Sequence, residues 1–255
     1  MTPNITALQQ PVPPYLYKYR SLHPMKRIKQ ILADNRLWCS SPASFNDPFD
    51  CKVGSLGTLD QTSLKKMIKD TLETGVAPSG AEARLADGDR DAYKEVSVGL
   101  QKRVDRCGIL SLCKHSDNIL LWSHYADTHR GICLEFSTSE WPSLRCRALP
   151  VIYSRQRPSV NFTPEWDKKQ FFQDIALTKH ASWCYEKEWR FVELDGEGFV
   201  NFPATALTGV IFGCEVQKSK LNAVMRYIKK RTQRPAIYRA FRDEREFKLV
   251  LEQID

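Results

Sequence analysis

The densest run of chemistry-bearing side chains in the sequence is Tyr185-Glu186-Lys187-Glu188-Trp189-Arg190. If a strand starts early enough to include Glu186, alternation puts Glu186, Glu188 and Arg190 on one face, with the two carboxylates about 7 Å apart. Such a pair can polarise a ribose hydroxyl or bind a metal ion. The plainer alternative is an exposed strand face salt-bridged to Lys187 or Arg190. A second cluster is Asn46-Asp47-Pro48-Phe49-Asp50. It closes a loop from Ser41 that its prolines hold non-helical, with two carboxylates among the aromatics Phe45 and Phe49. A turn held by Asx side-chain bonds accounts for it equally well. A third cluster is Trp122-Ser123-His124-Tyr125-Ala126-Asp127. There His124, three residues before Asp127, has the makings of a general base or a hydrogen-bonding group in a pocket. Histidines on such turns are more often structural. His115, Ser116 and Asp117 form a loop at a strand end. No Gly-x-Ser-x-Gly elbow supports a Ser-His-Asp triad, and no glycine-rich loop for phosphate is present.

These clusters need elements to hold them. Ile109 to Phe136 reads as strand, loop, short helix over Leu120 to Ala126, turn and strand, and it contains three of the five histidines. Such a stretch between two core strands suggests a pocket wall. Upstream, Leu16 to Arg20 alternates as a strand does. Pro24 to Asp34 has Met25, Ile28, Ile31 and Leu32 at helical spacing, and Leu37 to Ser40 reads as a second strand. Residues 54–106 read as a helical insertion. Ser63 or Thr62 caps one helix there, Gly75 to Arg90 is a loop, and a helix from Asp91 to Arg106 carries Tyr93, Val96, Leu100 and Val104 inward. Beyond the central stretch, Leu149 to Tyr153 is a strand. A helix from Thr163 to Ser182 turns Phe171, Ile175 and Thr178 inward. Strands at Gly209 to Cys214, Ala236 to Ala240 and Phe247 to Ile254 flank an amphipathic helix over Ser219 to Arg231. Strands are often adjacent rather than alternating with helices. The expected fold is therefore α+β, with a mixed or antiparallel sheet core and a helical insertion. The expected organisation is a loose tail over residues 1–14 and a single domain over 15–255.

Composition narrows the function classes. The chain has 255 residues, a formal charge of +8 and eight cysteines, none in a Cys-x-x-Cys pair. That pattern fits buried free thiols in a reducing compartment and disfavours a zinc ribbon or finger. There is no apolar run of about 18 residues, so no membrane span is expected. The polar, proline-rich start does not resemble a signal peptide, and a cytoplasmic location follows as the expectation. Lys229, Lys230, Arg231 and Arg234 cluster, and Arg239, Arg242 and Arg245 follow. They either attract an anionic partner such as nucleic acid or simply complement a helix end.

Four blocks resemble a widespread, mostly prokaryotic domain-of-unknown-function family (number twenty-nine seventy-one). They are Leu16 to Arg20, Leu37 to Asp50, Ile109 to Gly131, and Trp183 to Arg190. The Phe-Asn-Asp-Pro-Phe-Asp motif at 45–50 and the Trp-Ser-His-Tyr-Ala motif at 122–126 carry most of the likeness, which itself implies no activity. The strand-helix-strand order from Leu16 to Ser40 is, at fold level, similar to the opening of ADP-ribosyltransferases. That resemblance implies an enzyme that cleaves the nicotinamide-ribose bond of NAD and modifies a macromolecule, nucleic acid among the candidates, in a toxin, effector or defence role. It implies Glu188 as the catalytic carboxylate and Glu186 as the group that positions the acceptor; His124, from its own cluster, remains a further catalytic candidate. Tyr17, Lys18, Tyr19 or Arg20 would supply the first-strand contact to NAD, and Ser40 or Ser41 the second. Tyr19, Trp38 or Trp122 would stack on the leaving group, and Arg20 or Arg190 would meet the pyrophosphate. Asn46, Asp47 and Tyr125 complete the expected cofactor-binding set. Two other classes stand beside this one. One is a nuclease in which Asp47, Asp50, Glu186 and Glu188 hold Mg²⁺ or Mn²⁺. The other is a non-enzymatic module that binds nucleic acid or protein.

Overall fold

The computed structural model describes residues 10–54, 56–59, 84, 90–158, 160–162 and 168–254. The core is an eight-stranded sheet. Its strands are β1 (Tyr15–Arg20), β4 (Gly108–Cys113), β5 (Ile132–Ser137), β6 (Leu149–Pro150), β10 (Glu188–Glu193), β12 (Leu207–Phe212), β13 (Ala236–Arg242) and β14 (Leu249–Gln253). Three two-stranded sheets join β2 (Arg36–Cys39) to β11 (Gly198–Asn201), β3 (Leu56–Leu59) to β8 (Val160–Phe162), and β7 (Ile152–Ser154) to β9 (Thr178–His180). The helices are α1 (Met25–Leu32), α2 (Arg90–Asp105), α3 (Ile119–Tyr125), α4 (Pro142–Arg147), α5 (Lys168–Leu177) and α6 (Lys218–Ile228).

The large sheet runs β14-β13-β12-β5-β1-β4-β10-β6, antiparallel throughout except for the parallel pair β12–β13. The fold is α+β with a mixed sheet, as expected. The period of two sorts the sheet's side chains into two layers. Leu16, Leu112, Leu134 and Val210 join the core beneath α1 and α6, which contribute Ile28, Ile31, Leu32, Val224 and Ile228. Their sequence neighbours Cys113, Cys133 and Ile211, with Tyr19, pack against Leu121 and Trp122 of α3. A third cluster sets Val96, Leu100 and Val104 of α2 against Phe171 and Ile175 of α5, over Cys51 and Ile109.

One irregularity of the sheet positions the site. β1 is in register with β5 along its whole length, from Tyr15 opposite Ser137 to Arg20 opposite Ile132. It meets β4 only at Tyr17 opposite Cys113. The sheet therefore opens between the end of β1 and the start of β4. Beside the opening, Ser40 forms a two-way backbone bridge with Ile109, at 2.9 Å each way.

Several boundaries differ from the sequence reading. The helix expected to reach Ser182 ends at Leu177, because Thr178, Lys179 and His180 pair in parallel with Ile152, Tyr153 and Ser154. The strand expected over Leu149 to Tyr153 is split at Val151, whose N–H donates to the Glu188 carbonyl at 2.9 Å. The α6 helix ends at Ile228 rather than Arg231, since the buried Arg231 guanidinium turns back to the Leu32 carbonyl at 2.6 Å. At the end of the expected tail, Pro13 and Pro14 are fastened through their carbonyls to Thr138. The capping residues Thr62 and Ser63, and most of the loop expected from Gly75, lie outside the described residues. Of the helix predicted over 91–106, Val96, Leu100 and Val104 are buried as expected.

Candidate active site

Below the opening lies a buried charged network. Glu186 ends a 3-10 turn (Ala181–Glu186), Lys187 adopts a left-handed conformation at φ 45°, and β10 begins at Glu188. Glu186 and Glu188 are thus not alternate residues of one strand, as the sequence spacing implied. The left-handed step brings both onto the same cation: Lys179 Nζ donates to Glu186 at 2.6 Å and to Glu188 at 2.9 Å. Arg190, fully buried, donates from Nη1 and Nη2 to Asp50 at 2.9 and 2.6 Å, and from Nε and Nη2 to Glu188 at 2.8 and 3.1 Å. Its Nη1 also reaches the Ala176 carbonyl at 2.6 Å. Lys179 stands 3.5 Å from Asp50. The Tyr125 hydroxyl donates to Glu186 at 2.8 Å, and the Tyr153 hydroxyl accepts the Glu188 N–H at 2.8 Å.

Three carboxylates against two cations leave this network one negative charge in excess. The two glutamates respond oppositely. Burial alone would raise Glu188, but Arg190 and then Lys179 overcome it and hold that carboxyl far below the usual range. Burial raises Glu186; Lys179 offsets only part of the rise and the neighbouring Glu188 charge adds to it. Glu188 is therefore a fixed anion, whereas Glu186 is the carboxyl set to exchange a proton.

Above the network is a cavity of about 430 Å³, within the range of small-molecule sites. Glu186, Glu188 and Lys179 line its floor, and Ser40, Asn46, His124 and Tyr125 its sides. Lys18 and Arg20 from β1 and Arg27 from α1 also line it, with Lys18 near enough to Glu188 to feel its charge. Lys18 Nζ crosses the opening to the Ser111 carbonyl at 2.5 Å. Burial, with Arg20 nearby, lowers Lys18 to about 7. Burial and then Arg27 lower Arg20 to about 10, so it stays charged at neutral pH. The buried Arg20 Nε has no hydrogen-bond partner. Desolvated cations with an unmet donor suit an anionic ligand.

Of the residues singled out in the sequence, Tyr17, Lys18, Tyr19, Arg20, Ser40, Asn46, His124, Tyr125, Glu186 and Glu188 all line this cavity. The others do not. Ser41 caps a short 3-10 turn, accepting from the Ala43 N–H and donating to the Asp105 carbonyl. Asp47 accepts the Phe49 N–H at 2.9 Å, the Asx turn weighed as its alternative. Trp38 packs edge-on to Phe199 across the β2–β11 pair. Trp122 is fully buried between Tyr19 and His129, its indole N–H donating to the Ser116 carbonyl at 2.8 Å, so its faces are taken. Arg190 lies beneath the floor. Asp127 pairs with Arg130 at 3.1 Å instead of His124. For the metal alternative, Asp50, Glu186 and Glu188 do converge, but on Lys179 and Arg190, whose charges fill the place a divalent ion would take. Among the described residues no three His, Cys, Asp or Glu side chains are poised for a metal.

Sequence reasoning missed Lys179, Tyr153, His23 and Arg27. Lys179 falls within a helical pattern, and its role depends on pairing with β7, which no local pattern announces. His23 and Arg27 flank the start of α1 and read as ordinary exposed helix residues. No curated protein and no solved structure matches the chain. A family model described as Protein of unknown function (DUF2971) matches residues 121–191. That span runs from Leu121 of α3 to Phe191 of β10 and includes Tyr125, Lys179, Glu186 and Glu188, so this segment is similar to that family.

Proposed function

We propose that the chain is an ADP-ribosyltransferase-like enzyme that cleaves the nicotinamide-ribose bond of NAD and passes the ADP-ribosyl group to a macromolecule. One observation supports this reading above the others. First-strand cations, a serine following the second strand and the paired glutamates share a single cavity. NAD has a group for each charge: an anionic pyrophosphate at its centre and a nicotinamide ribose whose C1′ becomes cationic as the bond breaks.

In this scheme Lys18, Arg20 and Arg27 take the pyrophosphate. The excess negative charge of the floor faces the oxocarbenium-like ribose, and fixed charges in a dry site stabilise it with little reorganisation. The roles of the two glutamates are exchanged relative to the sequence expectation. Both Glu188 oxygens are engaged by Arg190 and Lys179, so Glu188 supplies field and position. Glu186, with Tyr125, is the carboxylate that meets the ribose hydroxyl and takes the proton of the incoming acceptor. The C1′–N bond breaks with its electron pair leaving on nicotinamide, and the acceptor's lone pair forms the new bond at C1′.

The test is release of nicotinamide from labelled NAD by the pure protein, with cell extract supplied as acceptor and with or without EDTA. Turnover that survives EDTA and falls at least about 100-fold in Glu186→Gln is the expected result. Absence of turnover, with no rise in melting temperature on adding NAD or ADP-ribose, refutes the proposal.

A further inference from the structure

Exposed cations line the outer sides of α1 and α6. These helices pack against each other, and the buried Arg231 binds their ends together. Its guanidinium donates to the Leu32 carbonyl at 2.6 Å, to Asn35 Oδ1 at 2.7 Å and to the Ala204 carbonyl at 3.0 Å. That disposes of Arg231 as a surface cation. The outward positions hold Lys26, Arg27 and Lys29 on α1, with Lys218 and Arg226 on α6 and Lys230 just beyond it, all exposed. Neither helix contains an acidic residue. None of the six cations belongs to an ion pair among the described residues.

We propose that this face is a docking surface for single-stranded nucleic acid, held through its phosphates. Three features support the assignment. Charge complementarity is nearly complete, because no carboxylate on either helix interrupts the cations. The face is continuous with the cavity, since Arg27 belongs to both, and a cavity of about 430 Å³ admits a nucleotide but not a duplex. A membrane surface is the poorer fit. An interfacial helix needs an outward apolar stripe, whereas Ile28, Ile31, Leu32, Val224 and Ile228 are all buried in the core. The proposal concerns binding alone and does not depend on NAD cleavage.

The probe is a fluorescein-labelled single-stranded RNA of mixed sequence, about 20 nucleotides long, titrated by anisotropy without NAD at several salt concentrations. Lys26→Ala, Arg226→Ala and Lys230→Ala are combined in one variant. At about 0.7 counterions released per contact, three lost contacts weaken binding about 100-fold at 0.1 M salt and make the salt slope shallower by about 2. A control removes three exposed cations elsewhere, at Lys102, Lys114 and Arg145, and stays within about threefold of the wild type. Unfolding curves confirm that both variants are folded. Equal affinity of the α1–α6 variant and the wild type overturns the proposal. So does an equal loss in the control, or binding to phosphatidylserine vesicles with no binding to RNA.

Discussion

Replacing each glutamate of the floor with glutamine separates structure from chemistry. Glu188 accepts from Arg190 Nε at 2.8 Å on one oxygen, and from Arg190 Nη2 at 3.1 Å and Lys179 Nζ at 2.9 Å on the other. Both oxygens are held by charged N–H groups that cannot accept, so a glutamine amide must turn its NH₂ toward an N–H whichever way it is flipped. Removing one partner of a buried ion pair costs about 3–5 kcal/mol. At about 2–4 °C per kcal/mol for a chain near this size, Glu188→Gln lowers the melting temperature by about 6–20 °C. Glu186 differs. One oxygen faces Lys179, and the other faces the Tyr125 hydroxyl, which can rotate from donor to acceptor. The substitution also brings the network from one excess negative charge to none. We expect Glu186→Gln to stay within about 1 kcal/mol of the wild type, or roughly 2–4 °C.

The pH dependence sharpens the contrast. The folded state depresses Glu188 below its ordinary value of 4.5, so its contribution is present above that pH and fades as the pH falls. The deficit of Glu188→Gln therefore narrows in acid. Glu186 is raised, so its ionisation costs stability as the pH climbs through the folded value, and Glu186→Gln gains on the wild type over that window. The assay is thermal unfolding followed by circular dichroism from about pH 3 to 8. Equal shifts for the two variants, or a Glu188→Gln protein melting within about 2 °C of the wild type, refute this account of the floor.

Three further outcomes are expected. Lys18 titrates near 7 rather than 10.5 when its side-chain resonances are followed by NMR, because burial disfavours its ammonium. Stability then rises between those two pH values, a rise that Lys18→Met flattens; a midpoint above 10 refutes the burial argument. Of the eight cysteines, Cys146 and Cys184 are exposed and react quickly with a thiol reagent in the native state. Cys39, Cys51, Cys107, Cys113 and Cys133 are buried with thiols pushed upward and react only on unfolding, and rapid labelling of any of these five contradicts the packing. Trp122→Ala, which empties a fully buried site, lowers stability by about 3–5 kcal/mol, and a loss under 1 kcal/mol in a denaturant titration contradicts its place in the core.

What was legible in the sequence followed local periodicity. The central stretch reads correctly because its two strands are apolar runs bounding a polar loop, and α3 is capped by Asn118, which accepts the Leu120 and Leu121 N–H groups. The class of the fold was legible for the same reason. The network was only half legible. Glu186, Glu188 and Arg190 stood out by type, yet their partners come from chain neighbourhoods far away: Asp50 is 140 residues from Arg190. Lys179 was hidden by its flanks. Phe171 and Ile175 carry a helical period up to it, and only parallel pairing with β7 converts Thr178 to His180 into a strand. The aromatics misled because Trp38 and Trp122 have the residue type a stacking platform needs, and type says nothing of whether a face is free.

The opening between β1 and β4 makes room for the cavity. A sheet that closed there would pair Lys18 and Arg20 with β4 through backbone bonds, leaving no space for a ligand. Instead β1 satisfies its hydrogen bonds on the β5 side and lends its other edge to the cavity. Lys18 spans the gap as a side chain, reaching the Ser111 carbonyl. Lys18 and Arg20 therefore line the same cavity as the acidic floor, which Asp50, Arg190 and Glu188 fix from below. Holding several charges out of water is costly for a network that serves stability alone, since well-packed apolar residues do as well or better. Charge fixed in advance around a cavity is what that cost secures, and a site so arranged discriminates by charge before any group on the ligand has reacted.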